Sequence, residues 1–117
     1  MIWVAVALLG GLGALARFTL DGIVSERLGG FPWGTLVVNV TGSFALGVLA
    51  GATLDDDATL LAGTATIGAY TTFSTWVFEM HRQAEDGRRS AMAFNLAGSL
   101  GLGLGAVALG RAIGRGL

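Results

Sequence analysis

Long apolar runs separated by short polar stretches dominate the chain. Four of the runs are long enough to cross a bilayer as helices, and their approximate limits are 2–20, 34–53, 58–81 and 91–112. Most charged residues cluster between the runs, as in a polytopic membrane protein. The pattern therefore predicts an all-α membrane protein in which residues 1–117 form a single domain of four transmembrane helices.

The middle of the third run is a poor helix sequence. Gly68 is followed by the adjacent β-branched residues Thr71 and Thr72, and then by Ser74 and Thr75. Glycine costs ordering entropy in a helix, and the hydroxyls compete for backbone groups. A helix break at membrane depth is tolerated where the freed backbone groups face protein, water or an ion. The density of hydroxyls predicts a broken helix at an ion site, and the alternative is a kinked helix whose hydroxyls bond their own carbonyls.

Polar and small residues repeat every four positions on the second and fourth runs, and such a repeat places them on one helix face. The two sets are Asn39, Ser43 and Gly47, and Asn95, Ser99 and Gly103. We interpret Asn39 and Ser43 as lining a polar path. The structural alternative is that the buried amide bonds across helices.

Small residues predict close helix packing as well. They are Gly10, Gly11, Gly13 and Ala14 in the first run, Ser43, Gly47 and Gly51 in the second, and Gly101 and Gly105 in the fourth. Four short helices leave little room to enclose a site, so we expect an oligomer.

Composition and charge narrow the possible chemistry. The chain has 117 residues, of which 53% are hydrophobic, no cysteine and a formal net charge of −1. Thiolate metal sites are therefore excluded, and no basic stripe is available for nucleic acid. Arg17 either snorkels to the membrane interface or lies at the mouth of an anion path. Glu79 is the only acid within a run and lies about a turn from its end, as a solvated rim residue would.

Three sequence blocks together resemble one family. Residues 10–17 (GGLGALAR), 34–44 (GTLVVNVTGSF) and 68–75 (GAYTTFST) are similar to those of the Fluc (CrcB-type) fluoride channels, and the likeness covers essentially the whole chain. The resemblance implies a channel rather than an enzyme, one that exports fluoride passively through the cell membrane and so reduces fluoride toxicity. It also implies an antiparallel, dual-topology homodimer that encloses two pores.

The resemblance assigns roles to individual residues. The pore would be lined by Asn39 and by the hydroxyls of Thr72, Ser74 and Ser99, next to Ser43 of the polar face. Arg17 takes the position of a vestibule cation, and Glu79 matches an acid that follows an aromatic pair.

That aromatic pair and a structural cation complete the implied site. Phe73 and Trp76 would turn ring edges toward the anion, and the Gly68 and Thr71 carbonyls of both subunits would hold a central sodium ion. Trp76 stands where the family usually has Phe. Because indole retains a positive edge and adds an N–H donor, we expect Trp76 to contact fluoride by its edge or through that N–H, and the alternative is a packing residue that anchors the dimer near the interface.

Two other functions fit parts of the pattern. A small four-helix proton-coupled exporter needs an acid in the membrane core, and Glu79 lies near a helix end. A packing subunit without transport would explain the glycines but not the polar faces. The distribution of arginines favours an orientation with both termini outside the cell, because positive charge is enriched on the cytoplasmic side. The side of the termini carries Arg111 and Arg115, and the opposite side carries Arg27, Arg82, Arg88 and Arg89. A partner chain of opposite orientation is therefore the alternative to a homodimer.

Overall fold

Helices make up almost the whole molecule. The structure, a computed structural model, describes residues 1–117. Helix α1 spans Ile2–Arg27 and α2 spans Trp33–Ala52. The third span begins with α3, a continuous helical stretch over residues 56–70, and resumes as α4 at Ser74–Glu85. Helix α5 spans Arg89–Gly114. The predicted all-α fold of four helices with a break in the third is thus confirmed.

The first helix is longer than its apolar run indicates. Its helical structure continues to Arg27, so the connection predicted over residues 21–33 shrinks to residues 28–32. Asp21 continues the helix instead of ending it, because its carboxylate accepts a hydrogen bond from Ser25 one turn later, at 3.2 Å. The Asp21 side chain also lies so close to Gly34 that a Cβ there would overlap it. Contacts across the connection therefore stabilise the additional two turns.

Helices α2 and α5 pack against each other through glycines. A Cβ atom at Gly47 would overlap the carbonyl of Val107, and one at Gly110 would overlap the carbonyl of Phe44. Gly51 and Gly114 make equivalent close approaches one turn further along. The predicted seam of Ser43, Gly47 and Gly51 is confirmed at both of its glycines, because only glycine allows two backbones to come this near.

The prediction that Gly101 and Gly105 form a close packing contact is wrong for contacts within this chain. A Cβ atom at either position would meet open space. Nine residues at about 100° each place Gly101 on the side of α5 opposite to Gly110. The spacing of the glycines alone could not indicate which face meets α2.

Most of α3 is wound more widely than an α-helix. Thr59–Ile67 is π-helical, and the Thr66 hydroxyl donates to the carbonyl of Leu61, five residues earlier, at 2.7 Å. Helix α1 packs here, where Gly13 lies against the Thr66 carbonyl with no room for a Cβ. Gly13 therefore has the predicted packing role, whereas Gly11 faces open space.

Very little of the chain is buried within itself. Only 14 of 117 residues are buried, and large apolar side chains such as Trp3, Leu12 and Phe18 cover the outside of α1. Helices α1, α2 and α5 are long and apolar enough to cross a membrane. The long axis of the molecule, 47 Å, is close to the thickness of a bilayer with its headgroups, about 40–45 Å. This surface fits lipid and is unsuited to water.

The glycine seam leads to a test of α2–α5 packing. Gly110→Ala should destabilise the folded protein by about 1–3 kcal/mol, because the new methyl overlaps the Phe44 carbonyl. Gly105→Ala is the matched control on the same helix and should be neutral or slightly stabilising, since alanine orders a helix better than glycine. Thermal unfolding followed by circular dichroism in detergent measures both, and equal stabilities would contradict the seam.

Candidate functional site

The helix break is fixed by the Asn39 side chain. Helical geometry ends at Tyr70, and Thr71 is extended with φ −80° and ψ 161°. The Asn39 amide then makes two hydrogen bonds to the backbone of Thr72, one from Nδ2 to the carbonyl and one to Oδ1 from the N–H, both at 2.8 Å. One side chain on α2 thus replaces the two helical bonds that the Thr72 backbone loses.

The same break leaves the backbone carbonyls of residues 68–71 without their helical donors, and two of them have the N–H groups of threonines as those donors. In a continuous helix the Gly68 carbonyl would accept from the N–H of Thr72, and the Thr71 carbonyl from that of Thr75. Here the Thr72 N–H bonds Asn39, and the Thr75 N–H bonds the Thr72 hydroxyl at 3.3 Å. Gly68 and Thr71 are therefore left with carbonyl oxygens that lack their helical donors, and these are the two carbonyls assigned to sodium by resemblance.

A cavity of about 540 Å³ opens beside the break. It brings together eight of the predicted site residues, which are Asn39, Ser43, Gly68, Thr71, Thr72, Phe73, Trp76 and Ser99. Thr59, Gly63 and Thr64 of the π-helical segment also contribute to its wall. No charged side chain lines this cavity, so an ion inside it would meet amide, hydroxyl and aromatic groups beside the aliphatic side chains of Leu46, Ile67 and Leu100.

Phe73 and Trp76 form an edge-to-face pair on the cavity wall. Their ring centroids are 5.7 Å apart with an interplanar angle of 65°. Phe73 is 72% exposed in the single chain, whereas Trp76 is 9% exposed. The pair prefers this geometry because the positive edge of one ring faces the negative face of the other.

The Trp76 N–H has a hydrogen-bond partner within the chain. The N–H donates to Oδ1 of Asn95 at 3.1 Å. Asn95 is 2% exposed and sits behind the cavity wall on α5, where it also accepts a 3.0 Å bond from the Ser99 hydroxyl. Trp76 can therefore offer the cavity its ring edge but not its N–H.

Two residues of this network, Asn95 and Gln83, were not predicted as site residues. The Asn95 Nδ2 donates to Oε1 of Gln83 at 3.3 Å, and Gln83 is also buried. The four-residue spacing of Asn95 and Ser99 was the available signal for the first. Gln83 gives no comparable signal, because it lies in the charged last turn of α4 and resembles a solvated residue.

Three predicted site residues lie outside the cavity. Ser74 is exposed at the start of α4. Arg17 is half-buried on α1, and its Nε has no hydrogen-bond partner within the chain. Glu79 lines a separate pocket of about 220 Å³ together with Arg82, Gln83 and other residues at one end of the bundle. A single chain therefore assembles the centre of the predicted path but not its mouths.

A cation at this site would have to be held by neutral oxygens. The chain contains no group of three His, Cys, Asp or Glu side chains that could hold a metal. The freed carbonyls of Gly68 and Thr71 are hard oxygen donors, a type of ligand that suits an alkali cation. The residues present therefore fit sodium, with two carbonyls available from one chain.

Comparison with known proteins identifies the family. A family model described as CrcB-like protein, Camphor Resistance (CrcB), matches residues 4–111. The chain belongs to the CrcB family. With its three apolar helices it is a multi-pass membrane protein.

Named relatives match over nearly the full length. The Fluoride-specific ion channel FluC 2 of Mycobacterium bovis is 50% identical over 94% of this chain and 88% of its own. The Fluoride-specific ion channel FluC 1 of Symbiobacterium thermophilum is 41% identical over 99% of both chains. The Fluoride-specific ion channel FluC of Acidobacterium capsulatum is 45% identical over 97% of this chain and 94% of its own.

The two hydrogen bonds between the Asn39 amide and the Thr72 backbone can be tested by hydrogen exchange. Asn39→Leu removes the acceptor for the Thr72 N–H, so exchange of that amide should accelerate by about tenfold, the equivalent of roughly 1.4 kcal/mol. The Thr71 N–H bonds the Ile67 carbonyl and serves as the internal control, with little change expected. Amide exchange followed by NMR measures both, and an unchanged Thr72 rate would show that Asn39 does not hold the break.

Proposed function

We propose that this chain is a passive, fluoride-selective ion channel of the cell membrane. The observation that carries the proposal is the cavity beside the helix break, whose lining offers amide, hydroxyl and aromatic groups but no charge. Membership of the CrcB family supports it, because the named relatives are fluoride-specific ion channels. In the cell such a channel would let fluoride leave the cytoplasm and so reduce its toxicity.

The lining suits the chemistry of fluoride. Fluoride is small and strongly hydrated, so a pore must replace its water with short hydrogen bonds and still release it. The Thr72 hydroxyl accepts from Thr75, which leaves its own hydrogen free to donate. Asn39 uses one of its two Nδ2 hydrogens on the Thr72 carbonyl, and the second is free. Neutral donors of this kind solvate an anion without trapping it as a fixed arginine would.

Ring edges supply the remaining contacts of the path. Phe73 lines the cavity with much of its ring exposed, and the hydrogen-bearing edge of an aromatic ring is electrostatically positive. Trp76 would contribute its edge in the same way. Ser74, Arg17 and Glu79 lie outside this cavity, so pore and vestibule roles for them require surfaces completed by a second subunit.

The proposed assembly is an antiparallel dimer around a structural sodium ion. The extensive apolar surface of one chain and its open cavity support a second subunit. In an antiparallel pair related by a two-fold axis, the Gly68 and Thr71 carbonyls of both subunits would supply four oxygens. A bound cation there would also lower the cost of placing an anion nearby in a medium of low dielectric.

Charge on the connections makes the orientation of the dimer testable. Four spans put both termini on one side, with Arg111 and Arg115, while Arg27, Arg82 and Arg88 lie at the other end of the helices. If the chain inserts in both orientations, a C-terminal tag should be labelled about equally from the two sides of the membrane. Labelling from one side only would exclude an antiparallel homodimer. An oppositely oriented homologue would then be the partner, and that homologue would supply the second pair of sodium ligands.

Proton-coupled export is the main alternative, and the cavity argues against it. Exchange of protons with a substrate needs a titratable acid in the transport path. The cavity lining has none, and Glu79 lines a different pocket at the end of the bundle. A passive pathway is therefore the better account of this lining.

Flux from liposomes tests the proposal directly. Purified protein reconstituted into vesicles should release fluoride down its gradient, without a proton gradient and much faster than chloride. An ion-selective electrode measures both anions in the same preparation. Release that depends on a proton gradient, or equal release of chloride, would contradict the channel.

A matched pair of variants ties the flux to the aromatic edge. Phe73→Ile keeps apolar bulk but removes both the ring edge and the edge-to-face pair with Trp76, and should lower the fluoride rate severalfold. Phe78→Ile is the control, because Phe78 is exposed on α4, five residues further along, and does not line the cavity. Similar rates for the two variants, normalised to assembled protein, would remove Phe73 from the path.

A further inference from the structure

A buried chain of hydrogen bonds connects the aromatic pair to α5. It joins the Trp76 N–H to Asn95 Oδ1 at 3.1 Å, the Ser99 hydroxyl to the same oxygen at 3.0 Å, and Asn95 Nδ2 to Gln83 Oε1 at 3.3 Å. Trp76 and Ser99 line the cavity, whereas Asn95 does not. The residue at the centre of the network thus lies behind the wall it supports.

The direction of every bond in this network follows from Trp76. An indole N–H can only donate, so the amide of Asn95 must present its oxygen to it. The nitrogen of that amide then faces Gln83, which must present its own oxygen in return. Phenylalanine at position 76 would impose no such direction. The tryptophan of this chain and the Asn95 amide therefore determine each other's orientation.

We propose that Asn95 is a positioning residue for the anion path, a role that rests on the proposed channel function. It fixes the plane of the Trp76 ring, because turning the ring would withdraw a buried N–H from its only acceptor. The fixed ring keeps its edge-to-face geometry with Phe73, at 5.7 Å and 65°. Asn95 thereby connects the aromatic edge on α4 to the hydroxyl of Ser99 on α5.

The Ser99 hydroxyl gives the same residue a second influence on the path. A serine hydroxyl has one hydrogen, and here it is directed at Asn95 Oδ1 rather than into the cavity. Ser99 can donate to an anion only by releasing Asn95. The Trp76 N–H then remains on Oδ1 and keeps the amide in place. Asn95 therefore acts through two residues that line the cavity without itself meeting the ion.

A double-mutant cycle separates positioning from simple packing. Asn95→Leu in the native chain should lower the fluoride rate by about tenfold, because it leaves a buried indole N–H without an acceptor. Trp76→Phe keeps a ring edge at that position, and its own rate is the reference for the second background. Asn95→Leu in that Trp76→Phe background should lower the rate clearly less, because no indole N–H remains to be held and only the bond to Ser99 is lost. An equal loss in both backgrounds, or a native rate for assembled Asn95→Leu, would overturn the proposal.

NMR can detect the hydrogen bond between the Trp76 N–H and Asn95 independently of any flux measurement. The chain has three tryptophans, so ¹⁵N labelling gives three indole N–H signals, and Trp76→Phe identifies the one from Trp76. Asn95→Leu should shift that signal upfield and speed its exchange with water, and the other two signals should stay in place. An unmoved Trp76 signal would overturn the positioning role.

Two further outcomes are distinguished by the same set of proteins. A native chain that releases no fluoride would overturn the proposed function and this role with it, whereas a conducting native chain with an unaffected Asn95→Leu would overturn the role alone. If Asn95→Leu does not assemble, Gln83→Leu replaces it and removes the acceptor of Asn95 Nδ2, so that only the Oδ1 side of the amide is still held. Its loss of rate should again be larger with Trp76 than with Phe at position 76, and equal losses would overturn the proposal.

Discussion

The two hydrogen bonds between Asn39 and Thr72 are the interaction on which the site depends. A helix interrupted inside a membrane leaves backbone groups that lipid cannot satisfy, and each unsatisfied group costs several kcal/mol. One amide side chain supplies both a donor and an acceptor at the point of interruption. The carbonyls of Gly68 and Thr71 are freed as a result, and the cavity beside them opens where a continuous helix would have packed. An apolar residue at position 39 could not do this.

The face of α2 that carries Asn39 has two different tasks along its length. Near the break it presents Asn39 and Ser43 to the cavity, and further along it presents Gly47 to the backbone of α5. Over about two turns, the polar side chains of this face are replaced by glycine, and the space between α2 and α5 closes to direct backbone contact. This tight segment holds the two helices at a fixed distance, and the open segment takes its dimensions from it.

Much of this arrangement could be predicted from local sequence. Apolar run length indicates the helices, and the crowding of Gly68, Thr71 and Thr72 indicates the break, because both depend on residues close together in the chain. The extension of α1 to Arg27 and the packing face of α5 depend on contacts with distant residues, and no local pattern carries that information. The partner of the Trp76 N–H was missed for the same reason, since Asn95 lies nineteen residues away on another helix.

The π-helical winding of Thr59–Ile67 limits which sequence changes this segment can accept during evolution. Each hydrogen-bonded ring of a π-helix holds one more residue than a ring of an α-helix, so the stretch accommodates extra chain without lengthening in proportion. At this winding, deleting or inserting a single residue would change the rotation of everything that follows and turn Thr72 away from Asn39. Side chains along the segment can be exchanged, but its number of residues is constrained by an amide on another helix.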